Sequence, residues 1–296
     1  MHSVWRPRQL GPAAHRRPVQ VALGALVGVL LSACGGGPGS ERVISGHQPA
    51  SQLLQAWAGF PVDASPRPLV LVGSLVLGPS KFLDGQAKLD FMNGAFDEPA
   101  SLPGGPATAD GYPVISAAAA IALLRSQSHG APPSPSATHL TITDARFGAQ
   151  KFLTDRGDRT LPAWLFAFAR VDGTVAVLAV SPQSAWLPSG LAAGDFGAAF
   201  VNGARIASDH RTLTAGFTGA PAGTGPCTAS YALSLTESPT AVVVTVTELS
   251  HNSSAQTVCA LVGYIRTATA VLTAPLGARV VVDAVSGQPI AVVGSA

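Results

Sequence analysis

The chain has 296 residues, 47% of them hydrophobic and only 11% charged, with 32 glycines and 24 prolines. Such an apolar composition excludes a wholly disordered chain, and Gly plus Pro, about a fifth of the residues without a strict period, exclude a collagen. The formal charge of +2 rests on Arg6, Arg8, Arg16 and Arg17; from Cys34 onward 14 basic side chains face 16 acidic ones, a net charge of −2, which excludes the basic footprint of a nucleic-acid-binding protein.

Those four arginines lead into Val21-Ala22-Leu23-Gly24-Ala25-Leu26-Val27-Gly28-Val29-Leu30-Leu31. A charged stretch followed by an apolar run of this length reads as the n- and h-regions of a signal peptide, too short to span a bilayer comfortably. The run ends in Leu31-Ser32-Ala33-Cys34, followed by Gly35-Gly36-Gly37. At this position the tetrapeptide resembles the lipobox of bacterial lipoproteins. The resemblance implies that residues 1–33 are removed and that the Cys34 thiol is thioether-linked to diacylglycerol. The mature chain would then sit on the extracytoplasmic face of the cell membrane. Two or more acyl chains, at about 0.8 kcal/mol per buried methylene, anchor a protein stably where one does so only marginally. Arg16-Arg17 also gives a twin-arginine reading that its Pro18-Val19-Gln20 flank fits poorly, so the export route stays open. Lysine occurs only at 81, 88 and 151, a bias that resembles high-GC actinobacterial proteins. No later stretch reaches 18 apolar residues, and no membrane-spanning helix is expected.

In chain order, residues 35–50 read as a flexible tether, and Ala50–Trp57 as a short helix ended by Pro61, Pro66 and Pro68. Val70–Leu77 reads as a strand bent at Gly73-Ser74, with Lys88–Met92 as its partner. A punctuated loop, 98–113, precedes the clearest helix, Ala117–Leu124, with Ser116 as N-cap and the prolines at 132, 133 and 135 as its stop. Leu140 and Ile142 alternate with threonines. Trp164, Phe166 and Phe168 point to one face and Leu165, Ala167 and Ala169 to the other, so Asp172-Gly173 reads as a two-residue turn into Val175–Val180. After a loop at 181–194 the chain is almost entirely β-like. Val242, Val244 and Val246 face one way and Val243 and Thr245 the other; Cys259–Ile265 reads as a strand; Arg279–Val285 and Ile290–Val293 read as a hairpin around Ser286-Gly287. The helix-then-hairpin order of 114–180, together with Val282-Asp283-Ala284-Val285-Ser286-Gly287, loosely resembles the propeptide-like modules of exported bacterial proteins, and implies no particular activity.

The expected fold is therefore β-dominated α+β, with antiparallel sheets, one main helix and a C-terminal β part held by a disulfide. The expected division is signal peptide 1–33, lipidated cysteine and tether 34–58, N-terminal α+β domain 59–215 and C-terminal β domain 216–296, with a single continuous sandwich as the runner-up. Exported chains live in an oxidising setting, and Cys227 and Cys259 remain once Cys34 carries lipid. A metal site would want four ligands, and only His251 lies nearby in sequence; a catalytic thiol would leave its partner unexplained. A disulfide is the expectation.

Chemistry is sparse. The sequence holds no G-x-S-x-G, H-E-x-x-H, C-x-x-C or phosphate-binding glycine motif, and His47, His129, His139, His210 and His251 are scattered singly. No cofactor, metal or catalytic group is implied. Asp155-Arg156-Gly157-Asp158-Arg159 is the densest charged patch and contains Arg-Gly-Asp. With Trp164 it could form a recognition site, the arginines forking onto anions beside an aromatic face. The plainer alternative is a polar turn between strands, with Trp164 in the core. The function expected is a non-catalytic binding or structural role in the cell envelope; the alternative is an exported hydrolase whose site is assembled from dispersed residues.

Overall fold

The structure, a computed structural model, describes residues 42–43, 48–128, 139–188, 200–252, 257–260 and 262–294. A two-residue strand β1 (Arg42–Val43) precedes α1 (Ala50–Ala56), which buries Leu53 and stops at the buried Trp57. The strand expected over 70–77 shortens to β2 (Val76–Leu77). Upstream of the Gly73-Ser74 bend, Leu69 and Leu71 make only isolated bridges, to Ala185 and Thr154. After β3 (Lys81–Phe82), the segment expected as its neighbouring strand is instead helix α2 (Gly85–Met92). The cause is local: the Asp84 carboxylate accepts from Ala87 N–H at 2.7 Å as an N-cap, and no β-branched side chain follows to resist helical winding.

β4 (Phe96–Asp97) and the small pair β5 (Thr108–Ala109) and β6 (Tyr112–Pro113) lead to α3 (Ala117–Ser126). This helix begins where expected: Ser116 Oγ accepts from Ala119 N–H at 3.2 Å, and Ala117, Ala120, Ile121 and Leu124 form the buried stripe. The prolines expected to stop it lie outside the described residues.

β7 (Leu140–Thr154) and β8 (Gly157–Phe168) form a long hairpin joined by Asp155-Arg156 alone, with Thr154 paired to Gly157. β9 (Val171–Asp172) pairs with β3, and β10 (Val175–Leu178) returns against β8, giving a five-stranded sheet of order β2-β10-β8-β7-β4. Its two faces follow residue parity. Trp164, Phe166 and Phe168 pack with Val175 and Val177 beneath α3, whereas Leu161, Ala163 and Leu165 pack with Ala176 and Leu178 beneath Leu69, Leu71 and Leu75.

The alternation is as expected, but the turn is not. Val175 pairs with Phe166, so residues 167–174 form the connection, and β3 draws Val171 and Asp172 aside. Asp172-Gly173 is therefore not a tight hairpin turn. Gly173 nevertheless takes the left-handed backbone, φ 82°, and a Cβ there would lie 2.7 Å from Ser80 Oγ. Gly173→Val is expected to destabilise by about 1–3 kcal/mol. A denaturant midpoint equal to that of the unmodified chain would show that the loop accepts a side chain.

The remainder is a sandwich. β11 (Val201–Ile206) and β12 (Thr212–Gly219) meet at a turn ordered by Asp209. Hydrogen bonds from the Thr212 hydroxyl and from the Thr212 and Arg211 N–H groups hold its carboxyl down at about 2. β13 (Thr228–Glu237), β14 (Ala241–Asn252), β15 (Tyr264–Val271), β16 (Val280–Asp283) and β17 (Val292–Gly294) follow. One sheet has β14 between β13 and the shorter β1 and β16; the other has the order β15-β12-β11-β17. Val242, Val244 and Val246 meet Leu213, Ala215 and Phe217 between the sheets, and Val243 points outward beneath Trp57 and Phe60.

The sheets are mixed rather than antiparallel throughout: β4–β7, β11–β17 and β14–β16 are parallel pairs. The last hairpin explains two of these. Asp283 accepts from Ser286 N–H and Oγ at 3.0 and 2.7 Å, and Gly287 turns the chain at φ 71°. Beyond a single bridge from Val282 to Pro289, β16 and β17 then diverge into different sheets. The disulfide joins Cys227 to Cys259 with Cα atoms 5.5 Å apart, at a spacing that needs no distortion of the backbone. It holds residues 257–260 beside the start of β13, and the strand expected at Cys259–Ile265 begins only at Tyr264. All these elements belong to one compact unit, Gly39–Ala296.

Candidate functional site

Cys34, the expected lipid attachment, lies outside the described residues. Of the charged patch, Asp155 and Arg156 form the tip of the β7–β8 hairpin, and Asp155 is 2% exposed. Thr154 Oγ1 fixes this tip by donating to Gly157 O at 2.8 Å and accepting from Arg156 N–H at 3.1 Å. Arg67 clamps both Asp155 carboxylate oxygens, at 3.1 and 2.5 Å, donates to Ala278 O, and lies over the Phe60 ring at 4.8 Å. Arg156 reaches the other way, donating to the Gly277 and Arg279 carbonyls at 2.9 Å. Burial pulls its pKa down, against the nearby Asp155 charge. The turn is thus a buried lock between the hairpin and the sandwich, not a displayed Arg-Gly-Asp tip.

The other two members of the patch are separated from it. Arg159 and Trp164 differ by five positions on β8 and so face opposite sides of the sheet. Arg159 is exposed; Trp164 is fully buried, donates to Ile115 O at 2.8 Å and meets Phe147 edge-on at 5.4 Å. A guanidinium–indole recognition surface is therefore not formed.

Two other ionic groups are likewise built into the fold. Arg170 bridges Asp84 and the buried Asp90 at the end of α2. Arg279 pairs with Glu237 at 2.7 Å while donating to three carbonyls of 274–276. Burial alone would raise the Glu237 carboxyl, but the Thr273 N–H and Arg279 hold it below its usual value. His139 contacts Asp97 at 2.8 Å on the surface, and His210 occupies a turn at φ 55°. Among the described residues no three His, Cys, Asp or Glu side chains are grouped to hold a metal ion.

The surface that does stand out lies beside the disulfide. A shallow cleft of about 490 Å³ runs between Thr218–Pro221, the two bonded cysteines and Val262–Tyr264. Behind it Arg266 donates to the carbonyl of the lining residue Ala220 and to Ala229 O, and lies over the Tyr231 ring. Tyr231 Oη accepts from Ala220 N–H at 2.9 Å, and burial raises its pKa. Among the described residues that line the cleft, Tyr264 is the one titratable side chain, the cysteines being bonded. Val262 in its wall is 56% exposed and Val258, next to Cys259 in the chain, 97%; Ile265 and Val271 are exposed farther along the outward face of β15. Composition hides this patch, because such residues read as core. Val258 and Val262 precede β15, and Ile265 and Val271 lie on its outward face. The arrangement offers apolar contact and backbone hydrogen bonds, with no paired acid and base.

Comparison with protein-family models, curated proteins and solved structures finds no match.

Proposed function

We propose that this chain is a lipid-anchored protein of the extracytoplasmic face of the cell membrane, with a non-catalytic binding or structural role in the cell envelope. The lipobox-like Leu31-Ser32-Ala33-Cys34 supports the anchor. The Cys227–Cys259 bond supports export, since a cytosolic setting keeps such thiols reduced. The observation that carries the non-catalytic part is the cleft beside that bond. Its described lining combines the exposed Val262 with one titratable group, Tyr264, the make-up of a contact surface rather than of a general acid–base site.

The anchor is tested by Cys34→Ala. Fatty-acid labelling and partitioning into the detergent phase are expected for the unmodified chain and lost in the variant, which stays unprocessed or unanchored. Equal lipid incorporation in both would refute the attachment.

A further inference from the structure

The sandwich has two unlike ends. One gathers the turns at 207–211 and 238–240 and the segment 272–279, and carries Asp209, Arg211, Glu237 and Arg279. The other consists of 219–228, between β12 and β13, and 249–264, which closes β14 and leads to β15; the Cys227–Cys259 bond joins the two stretches. Neither stretch contains an Asp, Glu, Lys or Arg, and His251 is the one residue in them able to take a positive charge. Of the charges that flank 249–264, Glu248 is half-buried and Arg266 is turned back onto the Ala220 and Ala229 carbonyls. This uncharged end exposes Leu249, Val258, Val262 and Tyr264.

Strand β1 relates that end to the start of the chain. It pairs antiparallel with β14, Arg42 with Glu248 and Val43 with Thr247. Followed toward its N-terminal side, β1 therefore points to the uncharged end, where Asn252 pairs with Thr228 beside Cys227. Glu248 lies four positions, about 13 Å, from Asn252, and seven positions, about 23 Å, from Ala241 at the charged end. Cys34 precedes Arg42 by eight positions, at most about 29 Å of chain. That length covers the distance to the uncharged end twice over, in the direction β1 already takes. Reaching the charged end would require the chain to reverse and run almost fully extended.

We infer that the disulfide end of the sandwich is the face this protein turns to the membrane, given the lipid anchor proposed above for Cys34, on which this rests. Val258, Val262 and Tyr264 enter the boundary between headgroups and acyl chains. A bilayer interface accepts aliphatic side chains and a tyrosine whose hydroxyl stays among the headgroups, and it penalises carboxylates and guanidinium groups drawn out of water. A protein partner would ask nothing of the direction of β1, whereas a bilayer to which Cys34 is fixed does.

The full chain is expressed in a bacterium, extracted in detergent and reconstituted into vesicles of phosphatidylcholine and phosphatidylglycerol with brominated acyl chains, which quench tryptophan on contact. Flotation with the vesicles reads the anchor by itself. Val258→Trp is expected to be quenched several-fold more than Ala274→Trp, which carries the same ring at an exposed position of the charged end, the signal of the unmodified chain being subtracted. Both variants should keep the melting curve of the unmodified chain; Val262→Trp takes the place of Val258→Trp if that chain does not fold. A chain that floats while the two tryptophans are quenched alike, or in the reverse order, overturns the inference and leaves the anchor standing. A chain that does not float removes the anchor, and the membrane-facing end with it.

Discussion

Replacing Cys227 and Cys259 together by serine is expected to lower the stability of the folded unit by about 2–4 kcal/mol. The bond closes a loop of 32 positions, and the chain-entropy model assigns most of its effect to the unfolded chain, which loses conformations when cross-linked. The native state adds a second effect. Cys227 sits at φ 67° at the head of β13, and Cys259 belongs to the segment between β14 and β15, so the bond fixes where β15 begins. For a unit of this size the loss corresponds to a fall of roughly 4–16 °C in Tm. Reductant should move the unmodified chain toward the variant and leave the variant where it is. Two chains with equal midpoints under oxidising conditions would remove the bond from the account of stability. Truncating both thiols at once matters, because a single free cysteine could pair with a second molecule.

That bond, the α3 cap and the aromatic alternation of β8 were all legible before any coordinates, for one shared reason: each depends on residues close in sequence or on a residue type with few alternatives. Ser116 needs only Ala119 to act as a cap. Trp164, Phe166 and Phe168 need only the two-residue period of a strand. The β-dominated α+β class followed from such signals. Lys88–Met92 failed because a short apolar pair is ambiguous between strand and helix, and the deciding Asp84 cap lies outside the window being judged. The parallel pairs were hidden for a different reason. β16 and β17 look alike in sequence, and which sheet each joins is set by partners 39 and 88 residues away.

The candidate surface was illegible on the same grounds. Val258, Val262 and Ile265 have the composition of a core strand, but the first two precede β15 and Ile265 lies on its outward face. The charged patch misled in the opposite direction. Asp-Arg-Gly-Asp-Arg has the composition of a solvated turn, and its first two residues do form the turn between β7 and β8, the other three opening β8. The burial of Asp155 depends on Arg67, 88 positions away, and on the sandwich against which the hairpin tip is pressed. Asp155 N–H donates to Val70 O at 2.9 Å, and its carbonyl accepts from Val292 N–H at 3.0 Å. The residue that looked most like a binding group instead ties three parts of the chain together.

Asp155→Ala is therefore expected to be the most damaging of these substitutions, at about 3–5 kcal/mol. The backbone bonds to Val70 and Val292 survive the change, so the loss reports the side chain alone. Removing the carboxylate leaves Arg67, whose side chain is 22% exposed, without its bidentate partner. It also removes the negative charge 3.7 Å from Arg156 Nε, a guanidinium whose pKa burial already lowers. Two like charges would then face each other across a partly buried site, Arg67 held by Ala278 O and the Phe60 ring and Arg156 by the Gly277 and Arg279 carbonyls. Asp155→Asn keeps the shape of the turn and should recover only part of the loss, which separates charge from packing. Adding Arg67→Met to Asp155→Ala should cost less than the sum of the two single changes, because it removes one of the charges left uncompensated. Urea midpoints of the unmodified chain and the four variants, Arg67→Met alone included, measure all of this. An Asp155→Ala chain within about 0.5 kcal/mol of the unmodified protein would place the lock at the surface, where such pairs contribute little.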